Sequence, residues 1–333
     1  MPPTVDPEAY QLYLQGQYYA GQPIGGSLRR SIDSFQQATE KDPNFALAYV
    51  GLANDYNASD FIGIASARES YPKARAAAIR AITLDPLLAE AHTALATEKS
   101  RYEFDWNGAR IETEKALQLN PKSVDTLRYY ATGYLSPMRR HREAIAAMKK
   151  SLEIEPLSVP VNFGLAFAYH LGGEVDRAEQ QYRHVMELAP NFPFPHLFFS
   201  NVLSAEGRYE ESIAELEKGL IMAGESPHEA TRQADELSAA FKNSGSRGYW
   251  RKYVDLGLDA IDQPSHFWFG DYTFIAQGYA EAGENEKAME WLSKAYEERE
   301  GCLWPGVNSL PGFKSLHGDP RFSALLQRAG LPE

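Results

Sequence analysis

The stretch DPNFALAYVGLANDY, residues 42–56, decides the fold. An acidic residue and a proline are followed by Tyr49, Leu52, Ala53 and Tyr56, which are spaced three and four apart. Residues with these spacings lie on one face of an α-helix. Proline has a fixed φ that suits the first turn of a helix and cannot donate a hydrogen bond farther in. The stretch therefore predicts a helix that begins just after the proline and packs along one face.

The same phrase recurs along the chain at a nearly constant spacing. Its copies are Asp42-Pro43, Asp85-Pro86, Asn120-Pro121, Glu155-Pro156 and Ala189-Pro190, with prolines 43, 35, 35 and 34 residues apart. Before each later proline, two small or β-branched residues stand seven apart: Ala74 and Ala81, Ala109 and Ala116, Ala144 and Ser151, Ala178 and Val185. The pattern predicts a unit of about 34 residues with two antiparallel helices that bury their apolar faces by stacking on neighbouring units.

A helix pair of this length is typical of the tetratricopeptide repeat (TPR), and the chain resembles TPR proteins over nearly its whole length. Four phrases carry a closer resemblance, to the TPR regions of bacterial winged-helix transcriptional regulators and serine/threonine kinases. They are DPEAYQLYLQGQYY at 6–19, DPNFALAYVGLANDY at 42–56, YEFDWNGA at 102–109 and DPRFSALLQRAGLP at 319–332. The resemblance implies an all-α, right-handed superhelical solenoid of about eight helix-turn-helix repeats with a C-terminal capping helix.

The repeat pattern divides the chain into an array over 1–302 and a cap over 303–333. The predicted repeats are 7–43, 44–86, 87–121, 122–156, 157–190, 191–224, 226–264 and 267–300. First helices are expected near 7–20, 44–58, 87–101, 122–136, 158–171, 194–206, 227–243 and 267–282. Three places depart from the period: nine extra residues in DFIGIASARESYP at 60–72, Gly224 in place of the sixth proline, and weak patterning around 249–261.

Composition excludes several classes of function. The 33 basic and 45 acidic residues give a net charge of −12, which repels nucleic-acid phosphates, so we expect no direct nucleic-acid partner. A single cysteine, Cys302, cannot form an internal disulfide. No stretch approaches the ~18 apolar residues that span a bilayer, and the N-terminus has no signal-peptide pattern. We therefore expect a cytoplasmic protein without a membrane partner.

A search for catalytic and cofactor motifs is nearly empty. The chain has neither GxxxxGK[ST] nor GxGxxG. His228-Glu229 begins like a zinc-protease helix, but Arg232 stands where the second histidine is needed. The eight histidines are scattered, and runs of glutamate on amphipathic helices are usually solvated faces. We expect no enzyme activity, no metal and no cofactor.

In a TPR superhelix the first helix of each pair lines the concave surface, and the resemblance assigns the positions that would contact a partner. They are Tyr13, Gln17, Val50, Asn54, Thr97, Arg128, Tyr129, Thr132, Phe163, Phe167, Phe198, Asn201, Phe274 and Gln277. Asparagines can hold a peptide backbone, and the phenylalanines either form apolar pockets in the groove or fill the interface between repeats. Tyr13 occupies the first lysine site of the TPR clamp that binds C-terminal carboxylates, which disfavours that use. The basic segment 138–150 either docks an acidic partner or is a solvated helix face.

The sequence thus predicts a non-catalytic protein-interaction scaffold or regulatory module that binds a protein or peptide in the concave groove. The alternative is a regulatory or sensory region of a larger bacterial transcriptional regulator, kinase or cyclase. The expected assembly is a monomer or a weak homodimer. The aromatic run HFWFGDYTF at 266–274 either contacts a second copy or packs within a single chain.

Overall fold

A computed structural model describes residues 6–21, 25–261, 271–299 and 306–333. Every regular element in these ranges is helical, which confirms the predicted fold class. Cys302 and residues 266–270 of the aromatic run lie outside the described residues. The chain packs as two compact units, Met1–Tyr134 and Leu135–Glu333, and the division falls within a π-helical segment.

Unit 1 contains three helix pairs and the first helix of a fourth. Its helices are α1 (Pro7–Ala20), α2 (Gly25–Lys41), α3 (Ala46–Ser59), α4 (Ala67–Leu84), α5 (Ala89–Glu98), α6 (Trp106–Leu119) and α7 (Val124–Tyr129). The helices α5 and α7 each continue into a π-helical segment, Lys99–Glu103 and Tyr130–Leu135. The two helices of each pair pack most extensively against each other, and each pair also packs against the next one along the chain.

Unit 2 contains the remaining pairs and the C-terminal cap. Its helices are α8 (His141–Ile154), α9 (Val159–Leu171), α10 (Val175–Leu188), α11 (Pro193–Ala205), α12 (Tyr209–Met222), α13 (Pro227–Ala260), α14 (Tyr272–Glu281), α15 (Asn285–Glu298) and α16 (Pro320–Arg328). A 3-10 turn, Pro311–Leu316, precedes α16. The helix α13 is broken at Ser244 and Gly245, so the predicted first helix of the seventh repeat ends close to residue 243.

The recurring prolines lie in the turns between repeats, a few residues before the next helix. The residue before proline caps the preceding helix in an extended conformation, with φ −142° and ψ 95° at Asp85 and φ −138° and ψ 88° at Asn120. Proline disfavours the helical conformation of the residue before it. The recurring residue-proline pair therefore marks the end of the preceding helix rather than the first turn of the next. The helices α3, α5 and α7 were predicted to begin one residue after their prolines, and they begin three residues after them.

The predicted packing positions form the core. All eight residues of the seven-residue pairs, from Ala74 and Ala81 to Ala178 and Val185, are fully buried. Phe35 shows why small residues are needed here, because its ring lies between Gly16 of α1 and Gly51 of α3. A Cβ atom added at either glycine would stand within 2.7 Å of that ring. The two first helices can therefore approach α2 closely only because both positions lack a side chain.

The extra residues of the second repeat form a turn and an extended helix. The helix α3 ends at Ser59 and α4 begins at Ala67 after a turn. Ser66 and Glu69 form a capping box, in which the Glu69 carboxylate accepts a hydrogen bond from the Ser66 backbone at 3.3 Å. The insertion therefore lengthens one interhelical turn without changing the stacking order.

The predicted C-terminal helix begins where the sequence indicates. The side chain of Asp319 caps α16, and Phe322, Leu325 and Leu326 are all buried. The boundaries of the array and of the cap at residue 302 remain a prediction.

Candidate partner-binding surface

The first helices form one layer of each stack. In unit 1, α1 touches α3, α3 touches α5, and α5 touches α7, whereas the second helices pack mainly against first helices. In unit 2, α9 likewise touches α11. Elements on the inner side of a curved stack approach one another more closely than those outside. We therefore define the inner face as the side of the first helices that faces away from the second helices. It is formed by α1, α3, α5 and α7 in unit 1 and by α9 and α11 in unit 2, and we assign α14 to it by its place in the repeat order.

Two predicted residues of α1 lie together on the inner face. The Gln17 side-chain amide donates a hydrogen bond to the Tyr13 hydroxyl at 2.6 Å, and Gln17 is exposed. Tyr10 and Leu14, which the sequence reading missed, lie one helical turn apart on the same helix and are 41% and 46% exposed. The sequence signal that could have identified them is their spacing of four residues, on a different face of α1 from the buried Ala9 and Gly16.

The predicted contact residues on α3 and α5 differ in exposure. Asn54 is exposed, and Thr97 is half-buried with its hydroxyl donating to the Thr93 carbonyl at 3.0 Å. Val50 is only 6% exposed and packs against Ala91, so it lies in the interface between repeats. Asn54 is thus the residue of this group most accessible to a partner.

Glu90 of α5 is a second residue that the sequence reading missed. Its side chain is half-buried and makes no ion pair or hydrogen bond with any described residue. Burial raises the pKa of Tyr13, and the negative charge of Glu90 contributes to that rise.

The predicted residues of the fourth repeat differ in accessibility. Arg128 is half-buried and pairs with Asp125 at 3.4 Å, and Thr132 is half-buried. Tyr129 is 5% exposed and donates a hydrogen bond to the Ala96 carbonyl at 2.6 Å. Its ring fills the space left by Gly133. The structure thus places Tyr129 in the packing between repeats rather than on an open surface.

Unit 2 carries a cluster of phenylalanines on α9, α11 and the turn before α11. The rings of Phe163 and Phe167 pack edge-to-face against Phe198, with centroids 5.3 and 5.4 Å apart. Phe163 also packs against Phe192 and Phe194. Phe198 is 6% exposed, whereas Phe163 and Phe167 are half-buried. The phenylalanines thus fill the interface between repeats, because the rings pack against one another. Phe163 and Phe167 are also partly accessible on the inner face.

The other predicted residues of unit 2 are buried. Asn201 is 9% exposed, Gln277 is 6% exposed and Phe274 is 1% exposed. A Cβ atom added at Gly312 would stand 2.5 Å from Gln277, so the 3-10 turn of the C-terminal segment lies directly against this inner-face position. The chain itself therefore covers part of the inner face at α14.

The C-terminal segment also reaches the beginning of unit 2. The side-chain amide of Asn308 donates to the Pro137 carbonyl at 3.0 Å and to the Pro332 carbonyl at 2.8 Å, and Asn308 is fully buried. The Ser309 hydroxyl lies 3.2 Å from His141 Nε2. Residues 306–316 thus connect the last repeat of unit 2 with its first helices. We call residues 306–316 the closing segment.

Two basic side chains of the segment 138–150, Arg140 and Lys149, have partners within the chain. Arg140 forms two hydrogen bonds with the Glu143 carboxylate, at 2.7 and 2.6 Å. Lys149 lies 5.9 Å from the centroid of the Tyr169 ring. Burial lowers the pKa of His141, which faces the closing segment. Docking of an acidic partner here remains a prediction.

The described residues hold no group of three or more His, Cys, Asp or Glu side chains arranged for a metal ion. At the incomplete zinc-protease motif, Arg232 pairs with Glu229 and Glu236. The same helix borders a surface depression of about 690 Å³, lined by Pro227, His228, Thr231, Arg232, Asp235, Glu236 and Ala239. Within the described residues, no helix is both long and apolar enough to cross a membrane.

Comparison with known proteins identifies the fold. No protein-family model matches the chain, and no curated protein matches it. Human IFIT1, solved as a dimer with m7Gppp-AAAA, is 17% identical with a TM-score of 0.60 over 87% of this chain and 72% of that one. PilW, a widely conserved type IV pilus biogenesis factor, is 15% identical with a TM-score of 0.50 over 66% of this chain and 96% of that one. Together with the helix pairs of about 34 residues, these structures show that the chain has the fold of TPR proteins.

Proposed function

We propose that this protein is a non-catalytic interaction module whose inner face in unit 1 binds a peptide segment of another protein. The observation that carries the proposal is the difference in accessibility along the inner face. In unit 1, Tyr10, Leu14, Gln17 and Asn54 are exposed. In unit 2, the closing segment packs against Gln277. A TPR stack with accessible first-helix side chains is suited to hold an extended chain.

The accessible residues offer the two kinds of contact that peptide recognition needs. Asn54 and Gln17 carry amides that can donate to and accept from a peptide backbone. Tyr10 and Leu14 provide apolar surface for side chains, and aromatic residues supply much of the energy of binding sites. Of the residues predicted from the sequence, we retain Tyr13, Gln17, Asn54, Thr97, Arg128 and Thr132 in the proposed site of unit 1.

In unit 2 we propose a smaller apolar contact at Phe163 and Phe167. The helices α9 and α11 carry no lysine, arginine or acidic residue, so this surface suits an uncharged segment. We also propose that the module acts in the cytoplasm, either alone or as the regulatory region of a larger bacterial regulator, kinase or cyclase. In that alternative the same inner face would contact another domain of the polypeptide.

Site-specific photocrosslinking in the source cell tests the proposal. Benzoylphenylalanine is placed at Gln17 or Asn54 on the inner face and, as controls, at Ile79 or Ile111, which are 45% and 49% exposed on second helices. The expected result is one protein adduct, identified by mass spectrometry, from the inner positions only. Adducts of equal yield from the second helices would contradict an inner-face site. An adduct with RNA would replace the proposed peptide partner by a nucleic acid.

A further inference from the structure

Exposed apolar side chains are concentrated on the first helix, α1. Tyr10, Leu14 and Tyr18 are 41%, 46% and 66% exposed, whereas each other described helix carries at most one large hydrophobic side chain of comparable exposure. The three residues are spaced four apart, so they form one row on the side of α1 that faces away from the buried Ala9 and Gly16. We call these three residues the α1 row. A continuous exposed apolar row indicates a contact surface.

The α1 row reads the same in both directions along the helix. Leu14 lies at its centre, and a tyrosine lies four residues to each side, about 6 Å along the helix axis. A two-fold axis at Leu14 would place Tyr10 of one copy against Tyr18 of a second copy in an antiparallel helix pair. Rows with a spacing of four residues are the ridges that interlock in the commonest class of helix contact. The α1 row is therefore complementary to itself, as a two-fold interface requires.

The residues around the α1 row are polar but almost uncharged. Exposed Gln11, Gln15 and Gln17 flank the row, and each amide can both donate and accept a hydrogen bond across an interface. Glu8 is the only charged residue of α1, and it pairs with Lys41 at 3.0 Å. Two copies of a chain with a net charge of −12 repel one another, and this repulsion is weakest where a surface carries little charge. The surroundings of the row therefore allow two copies to approach.

The two ends of α1 differ in charge. The carboxylate of Asp6 caps the N-terminal end. At the C-terminal end, the exposed guanidinium of Arg30 lies 5.7 Å from the centroid of the Tyr19 ring. An antiparallel pair brings the acidic end of each helix to the basic end of the other and orients the two helix dipoles favourably. The charges therefore favour a second copy in the antiparallel orientation.

We propose that the α1 row is the contact surface between two copies of this chain, paired through antiparallel α1 helices about a two-fold axis at Leu14. The inference goes beyond the proposed function, because pairing covers Tyr10, Leu14 and Gln17, which the proposed function assigns to a peptide. Pairing and peptide binding therefore exclude one another at α1. Three side chains from each copy bury less surface than the roughly 1,200 Å² of a stable interface, so pairing is weak and depends on concentration.

Disulfide trapping on the full chain tests both the surface and its symmetry. The single native cysteine is replaced by Cys302→Ser, and one cysteine is then introduced by Tyr10→Cys, Leu14→Cys or Tyr18→Cys. Ile111→Cys, at a 49% exposed position of α6, is the matched control. A disulfide needs Cα atoms within about 7 Å of one another, whereas Tyr10 and Tyr18 lie about 12 Å apart along the helix axis.

Leu14→Cys should form a linked dimer on mild oxidation, because the two-fold axis brings the two copies of this position together. Tyr10→Cys and Tyr18→Cys should each stay largely unlinked alone and should link when the two proteins are mixed. Linking of Tyr10→Cys with itself as efficiently as Leu14→Cys would overturn the antiparallel arrangement. Equal linking of Ile111→Cys would overturn the α1 surface.

Sedimentation velocity measures the pairing without an introduced cysteine. Wild type and Ile111→Glu should shift from monomer to dimer as the concentration rises from about 1 µM to about 1 mM. Leu14→Glu should weaken the dimer at least about tenfold, because it places two like charges at the two-fold axis. Leu14 is exposed, so this variant should keep the wild-type helical signal and unfolding temperature.

A wild-type chain that stays monomeric over this range, or a Leu14→Glu dimer as strong as wild type, would overturn the pairing. Neither outcome affects the proposed function, because photocrosslinking of a partner at Asn54 of α3 reports on a position outside the α1 row.

Discussion

The two units of this chain have the same helical-repeat architecture but differ in how much of the inner face is accessible. Unit 1 leaves much of its inner face accessible, with Tyr10 and Leu14 exposed and Glu90 unpaired among the described residues. Unit 2 packs the closing segment against its own repeats through Asn308 and Gln277. The difference teaches that a helical-repeat stack can present its inner face for a partner or use it for internal packing. The two choices should be separable by experiment.

The buried ionisable groups also differ between the units. In unit 1, burial raises the pKa of Asp55 and of Glu98 to about 7 in each case. In unit 2, burial lowers the pKa of His170 to about 4, and neither ring nitrogen has a hydrogen-bond partner among the described residues. Because each shift favours the neutral form, the two units should respond to pH with opposite sign.

The largest expected effect follows from deleting residues 306–333. This segment buries Val307, Phe313, Leu316, Phe322, Leu325 and Leu326. Each buried apolar side chain contributes roughly 1.5–3 kcal/mol, so the free energy of unfolding of unit 2 should fall by on the order of 10 kcal/mol and unit 2 should not fold. The amides of unit 1 should keep their protection against hydrogen exchange. Hydrogen exchange read by mass spectrometry separates the units. Unchanged protection of α8 to α15 would show that the closing segment does not support unit 2.

Asp55→Asn should reduce the pH dependence of unit 1. In wild type the unfolded state ionises above about pH 4, whereas folded Asp55 keeps its proton to about pH 7, so stability falls as pH rises through this window. The variant should lose about 2–4 kcal/mol less than wild type between pH 4 and pH 8. Exposed Asp33→Asn is the control. Equal pH profiles of wild type and Asp55→Asn, measured by exchange of α1 to α4, would contradict the assignment.

His170→Leu should act in the opposite direction in unit 2. The unfolded histidine takes up a proton below about pH 6.5, whereas folded His170 resists protonation to about pH 4, so wild-type unit 2 loses stability as pH falls through this window. The loss is about 3 kcal/mol and should disappear in the variant. The exposed His184 of α10 provides the control, His184→Leu. Urea unfolding at pH 4.5 and 7.5, followed by exchange of α9 and α10, gives the measurement.

The smallest effect is expected for Asn308→Ala. The variant removes two hydrogen bonds and leaves the buried Pro137 carbonyl and the half-buried Pro332 carbonyl without this donor, which should cost about 2 kcal/mol in unit 2 alone. Asn285→Ala removes two hydrogen bonds at the surface, from Asn285 to the Ser315 carbonyl at 3.2 Å and from the Ser315 hydroxyl to Asn285 at 3.1 Å, and should cost less than about 1 kcal/mol. A similar loss of stability in both variants, or a loss of stability in unit 1, would show that Asn308 does not hold the closing segment against unit 2.

The fold was readable from the sequence because it is periodic. The small residues seven apart had to be buried wherever helix pairs stack, and Ala74, Ala109, Ala144 and Ala178 are each fully buried. The site was readable only in part. Asn54 and Gln17 are exposed, whereas Asn201, which like Asn54 stands eleven residues after the proline of its repeat, is buried, as are Tyr129, Phe198 and Gln277. The position of a residue within a repeat predicts which way its side chain points. Whether that side chain is exposed depends on which other segments pack against it.

By itself, the sequence determined the helix pairs, their order and the residues at their interfaces, since these depend on spacings of a few residues and on turns set by proline. Only the tertiary structure decided which inner face stays accessible. Gln277 is covered because Gly312 packs against it, and Asn308 is buried because it bonds to Pro137 and Pro332. Such contacts join residues far apart in the chain, and no local pattern records them.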